Sequence, residues 1–301
     1  MITPKKSYCF STTIDLTLKN KLKHDLEEQG FSFAYPLHTI FSAKKKDISC
    51  TLYASGALTV QGKEKDEFIE FYLEPEILKN LSYSYPHQHI NYESHIGVDE
   101  AGKGDFFGPL CVAALYADRP GIENLVSMGI KESKKISDKK ALEYYRKIKK
   151  EYLYSLIILY PNKYNELYRK FHNLNHLLAW AHATAIQEAY QKSLCSSVLI
   201  DQFAHSSLVQ NAVERKKTPI DLKQQHRGEE DIVVAGASLI ARGAFLEGLD
   251  RLSNEIGIAL PKGASSGVVE TGKKIILKLG PDILEKISKT HFKTKEDICS
   301  S

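Results

Sequence analysis

The chain has 301 residues, of which 43% are hydrophobic and 26% charged, the composition of a folded globular protein long enough for two domains. It contains no uninterrupted apolar segment of the roughly 20 residues that a membrane span requires, and its first residues lack the apolar core of a secretory signal, so we expect a cytoplasmic protein without a membrane partner. The net charge of +4 permits a polyanionic partner without requiring one.

Residues 1–80 alternate strand-like and helix-like segments, and we expect them to form an N-terminal domain in the order β-α-β-β-β-α. The helical segment Lys19–Gln29 ends where Gly30 is placed to cap it, and Ser55-Gly56 predicts a hairpin. A last helix over Glu64–Leu73 presents three aromatic residues on one face: Phe68, Phe71 and Tyr72. The pattern predicts an α+β domain in which two helices back a curved antiparallel sheet.

A polar segment containing Pro86, residues 81–94, predicts a linker. Residues 95–301 then alternate apolar strands with longer helices, which is typical of an α/β layered domain. Ser137 is placed to cap a helix, and a later helix contains Ala235-Gly236-Ala237-Ser238, whose small side chains would let it approach the sheet closely. The predicted strands are Ile96–Asp99, Leu110–Ala117, Tyr152–Tyr160 and Ser197–Ile200. The helix that Ser137 caps is expected to end near Lys150, and two further helices are predicted over Asn173–Lys192 and Val233–Leu252.

Acidic residues recur at the expected edge of this sheet. Asp99 and Glu100 close its first strand, and Asp201 closes its last. Buried anions are costly unless a cation compensates them, and Mg²⁺ takes carboxylate oxygens as ligands, so these acids predict a divalent-metal site. Because neighbours on a strand point to opposite faces, Asp99 and Glu100 share such a site only if the strand ends there or one of them acts through its backbone.

Each acid also has an ordinary structural explanation. The pair Asp99-Glu100 fits two solvated charges before a turn, and Asp201 fits a turn-initiating residue. The triplet Glu229, Glu230 and Asp231 precedes a helix, where carboxylates are favoured by the helix dipole. What favours the metal site is that all three groups fall at the same kind of edge.

A glycine-rich loop follows the first two acids. Gly102-Lys103-Gly104 and Gly108-Pro109 invite comparison with a dinucleotide-binding loop, but Pro109 opposes the helix that such a loop must start. Backbone without Cβ atoms can instead approach a sugar-phosphate chain closely, and Lys103 would add a phosphate contact, although a plain tight turn has the same pattern. His172 and His176 are spaced i, i+4 as zinc ligands on one helix would be, but without an evident third ligand we interpret them as a structural pair.

These motifs together resemble a known family. Residues 97–104, GVDEAGKG, with Phe107-Gly108-Pro109, closely resemble the opening motif of the type 2 ribonucleases H. Ile200-Asp201 and residues 237–242, ASLIAR, resemble two later blocks of that family. Leu260–Ala264, His291-Phe292 and the presence of an N-terminal segment resemble its ribonuclease HIII group, and the likeness spans most of residues 95–295.

The resemblance implies a ribonuclease H-like catalytic domain, with a mixed central sheet flanked by helices, after an N-terminal domain similar to the TATA-box-binding protein. It implies endonucleolytic cleavage of the RNA strand of an RNA/DNA hybrid by two-metal-ion hydrolysis, with Mg²⁺ or Mn²⁺, leaving 5′-phosphate and 3′-hydroxyl ends. The implied partner is the hybrid itself, and we expect a monomer with no obligatory protein partner.

The resemblance also implies site residues. Asp99, Glu100 and Asp201 match three of four family acids, and Glu229, after Arg227-Gly228, matches the fourth if one residue is gapped, with Glu230 and Asp231 as alternates. Gly102, Lys103 and Gly104 would contact substrate and sense the ribose 2′-hydroxyl. A family loop that contacts the hybrid reads Asp-Ser-Lys; here Glu132 replaces the Asp, which leaves Ser133 and Lys134 as contacts.

The N-terminal domain is expected to raise hybrid affinity without taking part in the chemistry. Its basic patch is Lys44-Lys45-Lys46 with Lys5 and Lys6, and three aromatic residues near these lysines in sequence could pack on sugars or bases: Tyr35, Phe41 and Tyr53. Two other functions stay open at this point. One is ribonuclease HII-like incision at single ribonucleotides in duplex DNA; the other is a non-catalytic hybrid-binding protein, against which the intact acids argue.

Overall fold

The computed structural model describes residues 9–79, 90–130, 136–201, 206–225 and 228–300, with Ser206 and Glu229 described by their backbone alone. The chain forms two compact units, Met1–Ile90 and Asn91–Ser301. Most of the predicted linker, residues 81–89, lies outside the described residues, as do Lys5 and Lys6.

The N-terminal unit is a five-stranded sheet in the order β1-β5-β4-β3-β2, in which every pairing is antiparallel. Four strands, not the three expected, separate its two helices. The strands are β1 Cys9–Thr13, β2 Ser32–Ala34, β3 Thr39–Lys45, β4 Ile48–Tyr53 and β5 Ala57–Gly62; the helices are α1 Lys19–Glu28 and α2 Lys65–Phe68, which continues as a π-helix over Ile69–Leu78. Gly30 follows α1 with φ 79°, as its predicted capping role requires.

Both helices cover one face of this sheet. Leu22 and Leu26 of α1 and Ile69 and Leu73 of the π-helix share a buried cluster with strand residues that include Phe41, which is only 1% exposed. The suggestion that Phe41 stacks on bases is therefore wrong, because alternation along β3 turns its ring into the core.

The predicted aromatic face of the second helix is only partly correct. Phe68 and Tyr72 pack on each other, with ring centroids 5.1 Å apart, and both lie against the core. Phe71, by contrast, is 72% exposed. The reason is that the helix turns from α to π geometry at Ile69, and the wider π turn breaks the α-helical spacing on which the prediction depended.

The second unit contains a mixed sheet in the order β10-β9-β6-β7-β8. Strand β6 pairs antiparallel with β7 and parallel with β9, and the outer strands β8 and β10 are antiparallel to β7 and parallel to β9. The strands are β6 His95–Ala101, β7 Leu110–Ala117, β8 Tyr154–Leu159, β9 Ser197–Asp201 and β10 Asp221–Gln225. The helices are α3 Arg119–Ser127, α4 Asp138–Glu151, α5 Pro161–Phe171, α6 Leu174–Ser193, α7 Ser206–Arg215, α8 Ile232–Ile256, α9 Ser266–Leu279, α10 Leu284–Ile287 and α11 Lys293–Cys299.

Two long helices enclose the centre of this sheet. Ile96 and Val98 of β6 belong to a buried cluster with the alanine-rich helix α6, whereas the intervening Gly97 faces α8, where a Cβ atom would lie 2.4 Å from the backbone nitrogen of Val234. On α8 itself, a Cβ atom at Gly236 would lie 2.5 Å from the side chain of Leu115. The predicted close approach of α8 to the sheet is confirmed, and it depends on Gly97 in the sheet and on Gly236 in the helix.

Helix α8 is long and apolar enough by composition to cross a membrane, but 78% of its most apolar stretch is buried inside the unit. Its hydrophobicity is therefore explained by packing against the sheet and α4.

The predicted histidine pair is not on one helix: His172 ends α5 in the left-handed conformation, φ 51°, and His176 lies in the first turn of α6. The i, i+4 geometry of a zinc pair is thus absent at these residues.

We predict that Gly97→Ala destabilises the protein by about 1–3 kcal/mol, because the added methyl group overlaps backbone atoms of α8 that cannot move independently of the sheet. Thermal or denaturant unfolding measures the change. Gly267→Ala, in the first turn of α9 with nothing nearer than 4.0 Å to the new Cβ, is the matched control. Equal stability of the Gly97→Ala variant and the wild type would contradict the packing argument.

Candidate active site

The parallel pairing of β6 with β9 brings two of the predicted acids together. Val98 is in register with Ile200, so the next residues along the two strands, Asp99 and Asp201, are adjacent at the carboxyl ends. Both line one cavity of about 450 Å³, and Glu100 lines it too. The structure therefore brings Asp99, Glu100 and Asp201 to the same sheet edge.

The expected end of the strand is not how Asp99 and Glu100 come to share the cavity. Strand β6 continues to Ala101, which is paired with Cys111. Asp99 lies on the face covered by α8, where it interacts with Ser238, and Glu100 lies on the face covered by α6, where its Oε2 is 3.0 Å from Nε2 of His182. The two carboxylates keep the alternation of a strand and both still reach the open edge of the sheet.

The acids perturb one another. The pKa of Asp99 is raised to about 7, first by burial and then by the charges of Glu100 and Asp201, although the hydrogen bonds from Ser238 and the backbone N–H of Glu100 oppose the increase. Burial alone would also raise the pKa of Glu100, but the hydrogen bond and charge of His182, with the nearby Lys103, lower it. His182 and Lys103 thus stabilise the carboxylate of Glu100, whereas the neighbouring carboxylate of Asp99 lacks compensating positive charge.

His182 is a functional residue that sequence reasoning missed. It is fully buried in α6 among alanines and leucines, where a lone histidine is usually a core residue. A buried histidine with its Nε2 on a carboxylate at a cavity orients that carboxylate, as partners of metal-ligating residues commonly do. In sequence the available signal was a polar ring on the alanine-rich apolar face of a helix, 82 positions from Glu100.

Asp201 is held by the glycine that precedes the acidic triplet. The Gly228 N–H donates to Oδ1 of Asp201 at 2.9 Å, and a Cβ atom at Gly228 would lie 2.7 Å from the Asp201 Cα. Gly228 begins the 3-10 turn Gly228–Glu230, so the backbone of Glu229 directly follows the residue that is hydrogen-bonded to Asp201. The Glu229 side chain lies outside the described atoms.

The alternates for the fourth acid are placed differently. Glu230 is exposed. Asp231 caps α8: its carboxylate accepts from the N–H groups of Val233 and Val234 and lies 3.0 Å from Nε2 of His95. Neither residue lines the cavity described above, and the Asp231 carboxylate already serves the helix N-terminus.

The glycine loop is held in place from the far end of the chain. Gly102 lines the cavity with φ 85°, and a Cβ atom there would lie 2.2 Å from the carbonyl oxygen of Pro109. The buried ammonium of Lys289 donates to the carbonyl oxygens of Asp105 and Gly108, each at 2.7 Å. The next element is β7, not a helix, so this is not a dinucleotide-binding loop.

The structure describes only some of the other residues predicted to contact substrate. Lys103 lies 3.4 Å from Oε1 of Glu100, and Gly104 has open space where a Cβ would be. Ser133 and Lys134, with Glu132, lie outside the described residues. The cavity also has a polar wall that sequence reasoning did not assemble: Asp105, Asp138, Ser238, Arg242 and Lys262.

The donor chemistry of the cavity fits a hard divalent cation, because its acids offer carboxylate oxygens that repel one another unless positive charge lies between them. Within the described part of the chain, no three Asp, Glu, His or Cys side chains already stand together as a ligand set. One oxygen of the Glu100 carboxylate is hydrogen-bonded to His182, and one oxygen of the Asp201 carboxylate accepts from the Gly228 N–H, so both side chains are held at the sheet edge.

Comparisons with known proteins agree with this architecture. Residues 96–295 match the family model described as Ribonuclease HII, and residues 11–84 match one described as a domain of unknown function, DUF3378. The chain therefore belongs to the ribonuclease HII family, that is, the type 2 ribonucleases H.

Full-length relatives narrow the assignment. A protein of Protochlamydia amoebophila named Ribonuclease HIII is 50% identical over 289 residues, 96% of each chain, and one of Chlamydia abortus with the same name is 48% identical over 295 residues, 97% of this chain and 98% of the relative. A crystal structure described as Bst-RNase HIII in complex with Mn²⁺ is 26% identical, with a TM-score of 0.67 over 97% of this chain and 98% of the other. The agreement places the chain in the ribonuclease HIII group, metal-dependent endoribonucleases of RNA/DNA hybrids.

We predict a pH-dependent role for the His95–Asp231 pair at the start of α8. Burial lowers the pKa of His95, but the hydrogen bond and charge of Asp231, with the Glu93 carbonyl, outweigh it, so the net pKa is raised. A raised folded-state pKa stabilises the protein fully below the unfolded value of about 6.5, and this stabilisation is lost as pH rises through the folded value.

The stability difference between wild type and His95→Gln should therefore be larger at about pH 6 than at about pH 8.5, as measured by denaturant unfolding. Asp231→Asn retains a helix-capping side chain but removes the charge, and in that background the effect of His95→Gln should no longer be larger at the lower pH, because burial, which lowers the pKa of His95, is then no longer outweighed by Asp231. An effect that is the same at both pH values in the wild-type background would refute the assignment.

Proposed function

We propose that Asp99, Glu100, Asp201 and Glu229 hold two divalent cations, Mg²⁺ or Mn²⁺, and that hydrolysis of the RNA strand there leaves 5′-phosphate and 3′-hydroxyl ends. The observation that carries the proposal is the parallel register of β6 and β9, which aligns the first three acids on one cavity. The Mn²⁺ in the similar Bst-RNase HIII structure supports the kind of metal.

Bound divalent ions would supply an activated water and a Lewis acid for the leaving oxygen. The chain's own residues prepare the site around them. Ser238 and the Glu100 N–H hold the Asp99 carboxylate, His182 holds that of Glu100, and the Gly228 N–H holds that of Asp201. Each acid is thus oriented by a group on a rigid element, and the site loses little freedom when substrate binds.

The glycine loop is proposed to recognise ribose. Gly102 presents backbone at the cavity wall, where no Cβ blocks the approach of a sugar. The 2′-hydroxyl is the group that distinguishes RNA from DNA. Lys289 holds the same loop at Asp105 and Gly108, so the loop backbone can hydrogen-bond to this hydroxyl with little reorganisation. Because of the family resemblance, we propose Lys103, Gly104, Ser133 and Lys134 as further contacts with the hybrid.

We further propose that the protein acts as a monomer in the cytoplasm.

We predict that Asp99→Asn and Asp201→Asn each lower cleavage of a labelled RNA/DNA hybrid in Mg²⁺ by at least about 100-fold, because a lost metal ligand removes several kcal/mol of transition-state stabilisation. Glu229→Gln should show a similar loss and Glu230→Gln should not. Glu123→Gln, an exposed acid paired with Arg119, is the matched control.

Near-normal cleavage by either aspartate variant would overturn the metal assignment, and an inactive Glu230→Gln with an active Glu229→Gln would reassign the fourth acid. The same assay with a duplex DNA that contains a single ribonucleotide separates hybrid cleavage from ribonuclease HII-like incision. Faster cleavage of that substrate than of the hybrid would contradict the proposed preference.

The N-terminal unit is proposed to hold the hybrid on the sheet face opposite its helices. Hydrogen-bonding side chains cross this face strand by strand through paired positions: Ser42 with Thr51, Thr51 with Thr59, and Thr59 with Ser11. Ser42 and Thr51 are joined by a 2.9 Å hydrogen bond. The exposed lysines 44–46 lie at the β3–β4 turn, and the rings of Tyr35 and Tyr53 are exposed. A polar, hydroxyl-lined sheet edged by cations suits a sugar-phosphate backbone.

Substituting Lys44, Lys45 and Lys46 together by Gln in the full chain should weaken hybrid binding while leaving turnover at saturating substrate nearly unchanged. The slope of log binding constant against log salt should fall by up to about three, roughly 0.9 per lost phosphate contact. Titration of a labelled hybrid and a KM–kcat comparison measure both effects. Lys163→Gln and Lys170→Gln, exposed lysines of α5, are controls, and unchanged affinity and slope would refute the patch.

A further inference from the structure

Two cations lie on the wall of the acid-lined cavity, and one carboxylate bridges them. Oδ1 of Asp138 is 2.7 Å from a guanidinium nitrogen of Arg242, and its Oδ2 is 2.5 Å from the ammonium of Lys262. All three residues line the same cavity as Asp99, Glu100 and Asp201. Their hydrogen bonds connect positions more than 100 residues apart, so this cluster exists only in the folded chain.

The two cations stand on parts of the unit that are fixed independently of Asp138. Arg242 belongs to α8, which is packed against the centre of the sheet. Lys262 precedes Gly263, whose N–H donates to Oδ1 of Asp105 at 2.6 Å and whose carbonyl oxygen accepts from the Phe106 N–H at 2.9 Å. The backbone that carries Lys262 is therefore joined to the glycine loop. Asp138, in contrast, is the first residue of α4, with a side chain that is 40% exposed.

A carboxylate that bridges a guanidinium and an ammonium presents two oxygens to two cationic donors, as a phosphodiester group would. We propose that Arg242 and Lys262 form a subsite for a backbone phosphate of the RNA strand, and that Asp138 occupies this subsite in the free protein and leaves it when the hybrid binds. The inference rests on the proposed cleavage of hybrids at the neighbouring acids, and assigns a binding role outside them.

The position of the subsite indicates which phosphate it takes. Ser238, which contacts Asp99, and Arg242 are four residues apart on α8, just over one turn or about 6 Å along the helix axis. Arg242 would therefore meet a phosphate next to the one cleaved at the acids. The cost of releasing Asp138 is small, because it is partly exposed and water can replace both of its partners.

If Asp138 and a phosphate compete for the same two cations, removing the charge of Asp138 should change hybrid affinity in the opposite direction from removing the charge of Arg242 or Lys262. Removing either cation should weaken binding of a hybrid, whereas removing the Asp138 charge should strengthen it, because the competing anion is gone. A cluster that only joins α4 to α8 would behave otherwise, since loss of any member would then loosen the site in the same direction. The pKa of Asp138, lowered by Lys262 and Arg242, agrees with a carboxylate that is charged at neutral pH and must be displaced as an anion.

The test is the affinity of the full chain for a short labelled RNA/DNA hybrid, measured by fluorescence anisotropy in chelator so that neither cleavage nor metal binding contributes. Asp138→Asn should tighten binding about two- to fivefold, and Arg242→Gln and Lys262→Gln should each weaken it about as much and reduce the salt slope by about one. Glu143→Gln on α4 and Arg251→Gln on α8, which change the same charges outside the cavity, are the matched controls.

Two further variants separate competition from folding effects. Asp138→Glu keeps the competing charge and should bind like the wild type, and in the Lys262→Gln background the gain from Asp138→Asn should shrink, because the two residues are coupled. Unfolding midpoints identify any variant that fails to fold. Weaker binding by Asp138→Asn, or a gain equal to that of Glu143→Gln, would overturn the proposal. Either result would leave the metal proposal standing, which the cleavage assay of Asp99→Asn tests separately.

Discussion

The repulsion among Asp99, Glu100 and Asp201 is the constraint around which the catalytic unit is arranged. Three carboxylates at one sheet edge are unfavourable together in a partly buried place, and neighbouring elements each contribute a group that orients one of them. Helix α8 supplies Ser238, α6 supplies His182 and the turn before α8 supplies the Gly228 N–H. The remaining imbalance, expressed in the raised pKa of Asp99, is what a divalent cation would relieve, and it explains why a ribonuclease H site of this kind depends on metal.

Close backbone packing makes this arrangement precise enough to be useful. Gly97 and Gly236 let α8 lie directly on β6 and β7, so the position of Ser238 relative to Asp99 is set by main-chain contact and not by flexible side chains. The same helix carries Arg242 towards the cavity wall. One apolar, glycine-dependent contact thus determines the geometry of the acids and of the cations that we assign to a neighbouring phosphate, which links the stability of the core to substrate binding.

The glycine loop shows how the end of the chain contributes to a site whose motif lies near its middle. Lys289 holds the carbonyl groups of Asp105 and Gly108, and Gly263 is hydrogen-bonded to Asp105 and Phe106. A loop that is rigid before substrate arrives loses little entropy on binding. The sequence motifs Leu260–Ala264 and His291-Phe292, which were noted only for their resemblance to the family, include or closely follow the two residues that hold this loop, Gly263 and Lys289.

The amino-acid sequence by itself determined the features that depend on local pattern: the capping positions of Ser137 and Gly30, the strands that lead into Asp99 and Asp201, and the small-residue face of α8. Only the tertiary structure decided which long-range partners these residues have. The contacts of His182 with Glu100, of Asp138 with Arg242 and Lys262, and of Asp231 with His95 all join distant segments. The physical reason is that hydrophobic periodicity and capping act over a few residues, whereas a charged side chain finds its partner through the packing of helices on a sheet.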